Sequence, residues 1–161
     1  MLRRLIVLCG AWIFVTEVGL SQEGSGVSGT DAIMARQASL DMSSITFRSM
    51  VDAMKAGREA KSQGYPAAAL AKWAKALPRM FPPGSGKGET SVSTQALFLI
   101  WSDRAGFDRA AANYVDATAR LTALSAANDT PEFARQLEKV DQACGSCHAR
   151  YKAGAQGPPK K

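Results

Sequence analysis

The chain has 161 residues, of which 46% are hydrophobic and 21% charged, with 20 Lys and Arg against 14 Asp and Glu. This length suffices for one domain with a single hydrophobic core. The positive charge is spread along the sequence, and no basic run with interleaved aromatic residues predicts a nucleic-acid-binding surface. We therefore expect one domain and no nucleic-acid partner.

The N-terminal segment has the pattern of a secretory signal peptide. Arg3 and Arg4 precede an apolar run from Leu5 to Val15, which is shorter than a transmembrane helix needs. Cleavage after Ser21 is the best available site, and an uncleaved membrane anchor is the alternative. The predicted organisation is a signal peptide over 1–21, a flexible Gly/Ser linker over 22–29, one domain over 30–152 and a disordered tail over 153–161.

Four amphipathic segments in the domain predict helices. The first has Thr30 or Asp31 as its N-cap and ends between residues 55 and 63. The second spans about 67–77, an apolar block over 96–101 predicts a further turn, and the third helix follows Gly106. The fourth begins with Thr130 as N-cap and Pro131 in its first turn. The apolar seam of the first helix repeats every seven residues at Ile33, Leu40, Phe47 and Met54, with Met50 beside it. These segments predict an all-α, antiparallel up-down-up-down four-helix bundle.

The segment Cys144-Gly145-Ser146-Cys147-His148 has the pattern CxxCH, which is typical of covalent haem attachment. In such a site the two thiols add to the haem vinyl groups, and the histidine becomes an axial ligand of the iron. His148 is the only histidine in the sequence, so no second histidine is available for the other face of the iron. Residues three and four apart share a helix face, so we expect all three side chains to project into the bundle.

Three other interpretations of this motif remain open. A redox-active dithiol would be expected near a strand–helix–strand pattern, which the sequence lacks. A structural zinc ion usually takes four Cys or His ligands, and only Cys144, Cys147 and His148 remain once Cys9 is assigned to the leader. A disulfide between the two cysteines of the motif would close a very small loop. Haem c is the preferred interpretation.

With these features the sequence resembles cytochrome c′, the class II c-type cytochromes of bacterial periplasms. The resemblance extends over roughly 31–152. It depends on the CxxCH near the C-terminus, Tyr151 after it, Arg36-Gln37 followed by Leu40, the turn Phe81-Pro82-Pro83-Gly84, and Trp101-Ser102-Asp103.

The resemblance implies a role for individual residues of this chain. Cys144 and Cys147 match the thioether cysteines and His148 the proximal iron ligand, while Arg36 matches an arginine near the haem propionates. Gln37 is a second candidate for the propionate site, and Leu40 matches the residue that faces the distal side of the iron. An apolar residue at that position leaves the iron five-coordinate and high-spin.

One position departs from the family pattern, and one nearby residue could supply a different ligand. Where the family often has a basic residue such as arginine, one turn past the histidine, this chain has Lys152, which lacks the planar fork of donors. Met42 lies about 200° around the helix from Leu40, so we expect it to fill space in the packing. Ligation by Met42, Met34 or another methionine is the alternative, and it would give a low-spin electron carrier.

The implied function is that of a periplasmic mono-haem cytochrome rather than an enzyme. It would transfer single electrons to and from small redox partner proteins and bind nitric oxide or carbon monoxide at the iron. The resemblance also implies a homodimer formed through the first two helices. The remaining alternative is a non-haem CxxC protein with a redox or metal-binding role.

Overall fold

The computed structural model describes residues 28–154, so the predicted signal peptide and most of the predicted tail lie outside the described residues. The helices are α1 (Gly29–Lys55), α2 (Gly64–Ala76), α3 (Leu99–Ser102), α4 (Arg104–Ala126) and α5 (Thr130–Tyr151). Short 3₁₀ turns at Ala60–Gln63 and Leu77–Met80 flank α2. The described part of the chain contains no strand beyond one isolated antiparallel bridge, between Ala96 and Lys152. Within 28–154, no helix has both the length and the hydrophobicity that crossing a membrane requires.

Helix α1 begins and ends at local signals in the sequence. Its N-cap is Ser28, whose hydroxyl accepts a hydrogen bond from the Asp31 N–H, so the predicted N-cap at Thr30 or Asp31 is wrong by two or three residues. The helix ends after Lys55, where Gly57 adopts a φ of 70°. The Gly57 and Arg58 N–H groups then donate to carbonyls of the last turn, which is the common glycine-dependent way to end a helix.

The N-caps of α4 and α5 are aspartates. Asp103 caps α4 by accepting from the Gly106 N–H, and Asp129 caps α5 by accepting from the Glu132 N–H. The predicted N-cap of α5 at Thr130 is therefore wrong by one residue. The Thr130 hydroxyl instead accepts a hydrogen bond from the Ala60 N–H at 2.9 Å, and this bond connects the start of α5 to the turn before α2.

Four long helices form the predicted antiparallel bundle. Helix α4 packs against α2 and α5, and α1 packs against α2 and α5, so the up-down-up-down prediction is confirmed. The main core cluster has fully buried side chains from all four helices, among them Met50, Leu70, Leu121, Phe133 and Val140. Burial of such side chains supplies most of the stability of a bundle.

A second, smaller cluster lies where the chain between α2 and α4 meets the end of α5. Ile100, Phe107 and Tyr151 are buried in it together with Ala96. The Phe107 ring packs edge-on against Tyr151 and Phe81, with centroids 5.4 and 5.0 Å apart. Phe81 also packs against the main cluster. The two clusters therefore meet at Phe81, beside the segment of α5 that carries the cysteines.

Candidate haem-attachment site

The two cysteines of the CxxCH motif lie on α5 where the two clusters meet. Both are free thiols and half-buried. Cys144 packs against the main cluster and Cys147 against the smaller one. The sequence predicts that all three side chains of the motif project into the bundle; Cys144 and Cys147 are half-buried, and the His148 side chain is exposed. His148 lies about 40° around α5 from Cys144 and about 100° from Cys147, so it shares a side of the helix with both cysteines.

The electrostatic surroundings of the motif keep its groups neutral. Burial raises the pKa of the Cys144 thiol to about 11, with smaller contributions from the charges of Asp141 and Cys147. Burial also raises the pKa of Cys147. Redox-active thiols need a lowered pKa because the thiolate is the reactive form, so this environment disfavours a redox dithiol. Partial desolvation and the charge of Lys152 lower the pKa of His148, which favours the neutral imidazole that can ligate a metal.

Arg36 on α1 is buried, with only 2% of its surface exposed. Its guanidinium donates to the Ser85 hydroxyl at 2.8 Å, to the Thr94 hydroxyl at 2.9 Å, and to the carbonyl oxygens of Ser85 and Met80. The guanidinium also lies over the Phe81 ring, 4.6 Å from its centroid. Arg36 therefore holds the segment that follows α2 against α1, a role that the sequence did not reveal.

Two further residues of α1 were predicted to belong to the site. Gln37 is exposed, and its amide donates to the Ser93 carbonyl oxygen at 2.9 Å, so it holds the same segment as Arg36. Leu40 is half-buried against the main cluster. Met42 is 68% exposed and Met34 50% exposed, so the prediction that Met42 packs inside is wrong. Leu40 therefore occupies the core-facing position one turn after Arg36, and the side chains of Met34 and Met42 face outward.

Asp103 forms a network at the end of α5 that connects this helix to α4. One carboxylate oxygen accepts from the Gly106 N–H, and the other accepts from the Tyr151 hydroxyl at 3.0 Å and from the Arg150 guanidinium at 2.8 Å. These hydrogen bonds lower the pKa of Asp103, and the bond from Tyr151 has the largest effect. The network fixes the last turn of α5, three residues beyond His148. Tyr151 and Asp103 were noted in the sequence, but nothing there indicated that they bond to each other.

The residues of this region fit a covalently attached haem. Two cysteines one turn apart lie where two apolar clusters meet, which suits an apolar macrocycle joined to both. Arg36 is a buried cation whose hydrogen-bond acceptors are all neutral, and no carboxylate pairs with it among residues 28–154. A buried charge without a counter-charge is costly, so a site for a propionate anion near Arg36 is chemically consistent. The described residues contain no group of three His, Cys, Asp or Glu side chains arranged to hold a metal ion, so a zinc site lacks its ligands.

Comparison with known proteins gives the family. A sequence model of the family described as Cytochrome C′ matches residues 31–152. The chain therefore belongs to the cytochrome c′ family, whose members bind haem c covalently. The resemblance inferred from the sequence and the assignment of haem c as cofactor are both confirmed.

Individual relatives are similar to this chain over part or most of its length. The cytochrome c′ of Rubrivivax gelatinosus is 33% identical over 72 residues, 45% of this chain and 54% of the relative. Cytochrome c-554 of Cereibacter sphaeroides is 33% identical over 75 residues, 47% of this chain and 48% of the relative. The chain thus spans about half the length of the curated relatives it matches.

Solved structures align with the whole bundle. The crystal structure of the Rubrivivax gelatinosus cytochrome c′ aligns with a TM-score of 0.68 and 28% identity, covering 77% of this chain and 96% of that one. A ferrous variant of cytochrome c prime from Alcaligenes xylosoxidans with bound nitric oxide aligns with a TM-score of 0.70 and 25% identity, covering 79% and 97%. A cytochrome c′ described by its ligand-controlled dimer dissociation shares the fold, with a TM-score of 0.75 and 22% identity, covering 80% and 99%.

Proposed function

We propose that this protein is a periplasmic, mono-haem cytochrome that transfers single electrons and binds nitric oxide or carbon monoxide at a five-coordinate, high-spin iron. In this proposal Cys144 and Cys147 would hold the haem through thioethers, and His148 would ligate its iron. When bound, haem c supplies an iron that changes between ferric and ferrous and can take a gas molecule at an open position.

The observation that carries the proposal is the position of Leu40. It is half-buried against the main cluster, one turn after Arg36, whereas Met34 and Met42 are exposed. A leucine cannot ligate iron, and it offers no hydrogen bond that would hold water or dioxygen. The distal side is therefore expected to admit small uncharged gases, and the nitric oxide complexes known for relatives support this.

Other residues of the chain position the site. Arg36 holds the segment after α2 against α1 and places a positive charge inside the protein, where it can compensate a propionate. Asp103, through Arg150 and Tyr151, fixes the end of α5 next to His148. The role is that of an electron carrier and gas-binding protein rather than an enzyme.

Export and partners belong to the same proposal. The N-terminal pattern of residues 1–21 directs export, and bacterial haem c attachment occurs outside the cytoplasm. Sequencing the N-terminus of protein from the periplasmic fraction tests this, because an intact Met1 would contradict cleavage of a signal peptide. Small redox proteins would exchange electrons with the haem.

A second copy of the chain is the proposed partner of the outer face of α1. Met34, Met42 and Ile45 are 50%, 68% and 68% exposed and lie within about 80° of one another on the helix. A groove of about 210 Å³ between α1 and α2 adjoins them, lined in part by Met42, Thr46 and Trp73. The Trp73 indole N–H is buried with no acceptor among the described residues. An exposed apolar stripe of this kind is typical of a subunit interface, and a dimer is known for a protein of the same fold.

The decisive experiment is spectroscopy of protein matured with a c-type haem assembly system. On a haem-stained denaturing gel the protein band must stain, because covalent haem stays with the chain. A protein band that does not stain would support the non-haem alternative. The ferrous spectrum must lack sharp, split α and β bands and must change when nitric oxide is added. Split bands before addition would show the low-spin, methionine-ligated alternative.

A further inference from the structure

Two large apolar side chains are exposed at the start of α3. Phe98 is 71% exposed and Leu99 is 36% exposed. They lie in a stretch from Ser91 to Ser102 that contains no charged residue. Exposure of adjacent apolar side chains to water costs free energy. An exposed apolar patch is therefore typical of a surface that binds another molecule.

These side chains lie next to the haem-attachment end of α5. The Leu97 N–H donates to the Tyr151 carbonyl oxygen at 3.0 Å, and the Ala153 N–H donates to the Gln95 carbonyl oxygen at 2.8 Å. The exposed pair thus directly follows a segment whose backbone is hydrogen-bonded to Tyr151 and Ala153, which lie three and five residues after His148. A molecule bound here would lie close to the haem.

Two lysines flank the same segment. The Lys87 N–H donates to the Ala96 carbonyl oxygen at 2.9 Å, and Lys152 forms the isolated bridge with Ala96. Both lysines are exposed, and neither forms an ion pair within residues 28–154. Glu89 is the only acidic residue between residues 81 and 98, and its carboxylate accepts a hydrogen bond from the Gly86 N–H. The rim of the apolar pair is therefore positively charged.

We propose that Phe98, Leu99, Lys87 and Lys152 form the docking surface for an acidic protein that donates one electron to the haem. This inference rests on the proposed function. An apolar centre with a charged rim suits a small, transient interface. The lysines steer the acidic partner by long-range attraction, and the apolar pair is covered on contact. In the reaction one electron passes from the reduced partner to the ferric iron, which becomes ferrous, and no covalent bond forms or breaks.

The probe is flavodoxin, a small acidic flavoprotein, in its hydroquinone form, which becomes the semiquinone when it gives up one electron. Stopped-flow absorbance measures the second-order rate of haem reduction at low and high ionic strength, and calorimetry measures binding directly. We expect Lys87→Glu to slow the reaction about tenfold at low ionic strength and much less at high ionic strength. We expect Lys152→Glu to act in the same direction, and Phe98→Ser to weaken binding about tenfold with a smaller dependence on salt.

Matched control variants lie at the other end of the bundle. Lys61 and Tyr65 are exposed, and Tyr65 is 87% exposed. They adjoin the start of α5, about 30 Å along the helix from its end. Lys61→Glu and Tyr65→Ser should leave both rate and binding nearly unchanged. Reduction by neutral lumiflavin semiquinone should be equal in the Lys87, Phe98, Lys61 and Tyr65 variants, because this small reductant needs no docking surface.

Three results would overturn the inference. The first is that the lysine and Phe98 variants behave like their controls towards flavodoxin. The second is that the lumiflavin rate falls in parallel, which would mean that the substitutions act on the haem itself. The third is that flavodoxin binds with no dependence on salt. Absence of covalent haem from the purified protein would instead refute the proposed function, and haem staining detects that case separately.

Discussion

The guanidinium of Arg36 donates to both the hydroxyl and the carbonyl oxygen of Ser85, 49 residues further along the chain. Ser85 is fully buried, and its hydroxyl in turn donates to the Pro82 carbonyl oxygen at 2.7 Å. A buried side chain of α1, together with Gln37, thus holds in place the segment that leads from α2 towards the haem-attachment end of α5.

Replacing Arg36 by lysine should reveal this role in stability. Lysine keeps the charge but has one nitrogen, so it cannot reach acceptors that surround a planar guanidinium. We expect Arg36→Lys to lower the free energy of unfolding by about 2 kcal/mol or more, because charge-assisted hydrogen bonds in a buried site are lost. Urea unfolding of the haem-loaded protein measures the change. Arg48→Lys, at an exposed position of the same helix, should change it by less than about 0.5 kcal/mol, and equal effects of the two variants would contradict the prediction.

Leu40→Met tests the distal side of the iron. A thioether at this half-buried position should ligate the iron and convert it to a six-coordinate, low-spin state. The ferrous spectrum should then show split α and β bands, and binding of nitric oxide should slow because the sulfur must first leave. Met42→Leu is the control, because Met42 is 68% exposed and its loss should leave the spectrum unchanged. An unaltered spin state in Leu40→Met would mean that Leu40 does not lie over the haem.

Asp103 should make stability depend on acid pH. The hydrogen bond from Tyr151 and the interaction with Arg150 hold the pKa of this carboxyl below its ordinary value. A carboxyl whose pKa is depressed by folding contributes stability above its unfolded-state pKa of about 3.9, and this contribution disappears as the pH falls through the lower folded-state pKa. The difference in Tm between the unmodified protein and Asp103→Asn should therefore be constant near neutral pH and should shrink below about pH 4.

The comparison needs an aspartate that also pairs with an arginine but is itself more exposed than Asp103, whose side chain is 27% exposed. Asp108 accepts from Arg104 at 2.9 Å, and its side chain is 51% exposed. Exposed ion pairs of this kind contribute little, so Asp108→Asn should change Tm only slightly at any pH. If both variants follow the same pH profile, the Asp103 network does not stabilise the end of α5.

Gly106 is required for the close contact between α4 and α5. A Cβ atom at this position would lie 2.6 Å from the Tyr151 hydroxyl and closer still to the Asp103 carboxylate. Gly106→Ala should destabilise the protein by about 1–3 kcal/mol through overpacking, although alanine is the better helix former. Gly145→Ala in α5 meets no atom within 4 Å and should be neutral or stabilising by up to about 1 kcal/mol. Chemical denaturation of both variants decides whether the steric contact or the helix propensity dominates.

Ile45→Asp tests the proposed dimer. Ile45 is 68% exposed on the outer face of α1, and a buried carboxylate without a partner would be costly in an interface. Sedimentation velocity should show a dimer for the unmodified protein and a monomer for Ile45→Asp. Ala112→Asp places the same charge on an exposed position of α4 and should remain dimeric. A monomer in all three cases would remove the basis for a dimer through α1.

The sequence predicted the helices and their buried faces because apolar spacing is a local property. Of the seven-residue pattern, Ile33 is buried and Leu40, Phe47 and Met54 are partly buried, and Met50 beside them is buried too. The N-caps at Ser28 and Asp129 differ from the predicted residues by one to three positions, since several adjacent polar residues can cap a helix and only the local backbone selects one. Met42 was assigned to the interior, yet it lines the groove between α1 and α2. The prediction was wrong because methionine packs equally well in a core and in a surface groove, so the residue type alone does not distinguish the two.

The contacts that position the site could not be predicted in the same way. The acceptors for Arg36 lie 44 to 58 residues away, and Asp103 is 47 and 48 residues from Arg150 and Tyr151. Pairings of this kind depend on how the helices pack, and no repeat in the sequence encodes them. The roles proposed for Cys144, Cys147 and His148 were predicted from the CxxCH spacing together with the family resemblance.

The two cysteines contact different clusters, Cys144 the larger and Cys147 the smaller. A rigid ring joined to both would be bonded to α5 alone, yet it would lie against both apolar clusters. Opening of either cluster would then expose apolar ring surface to water. The attached group would thus make unfolding cooperative across the whole domain as well as supply its redox chemistry.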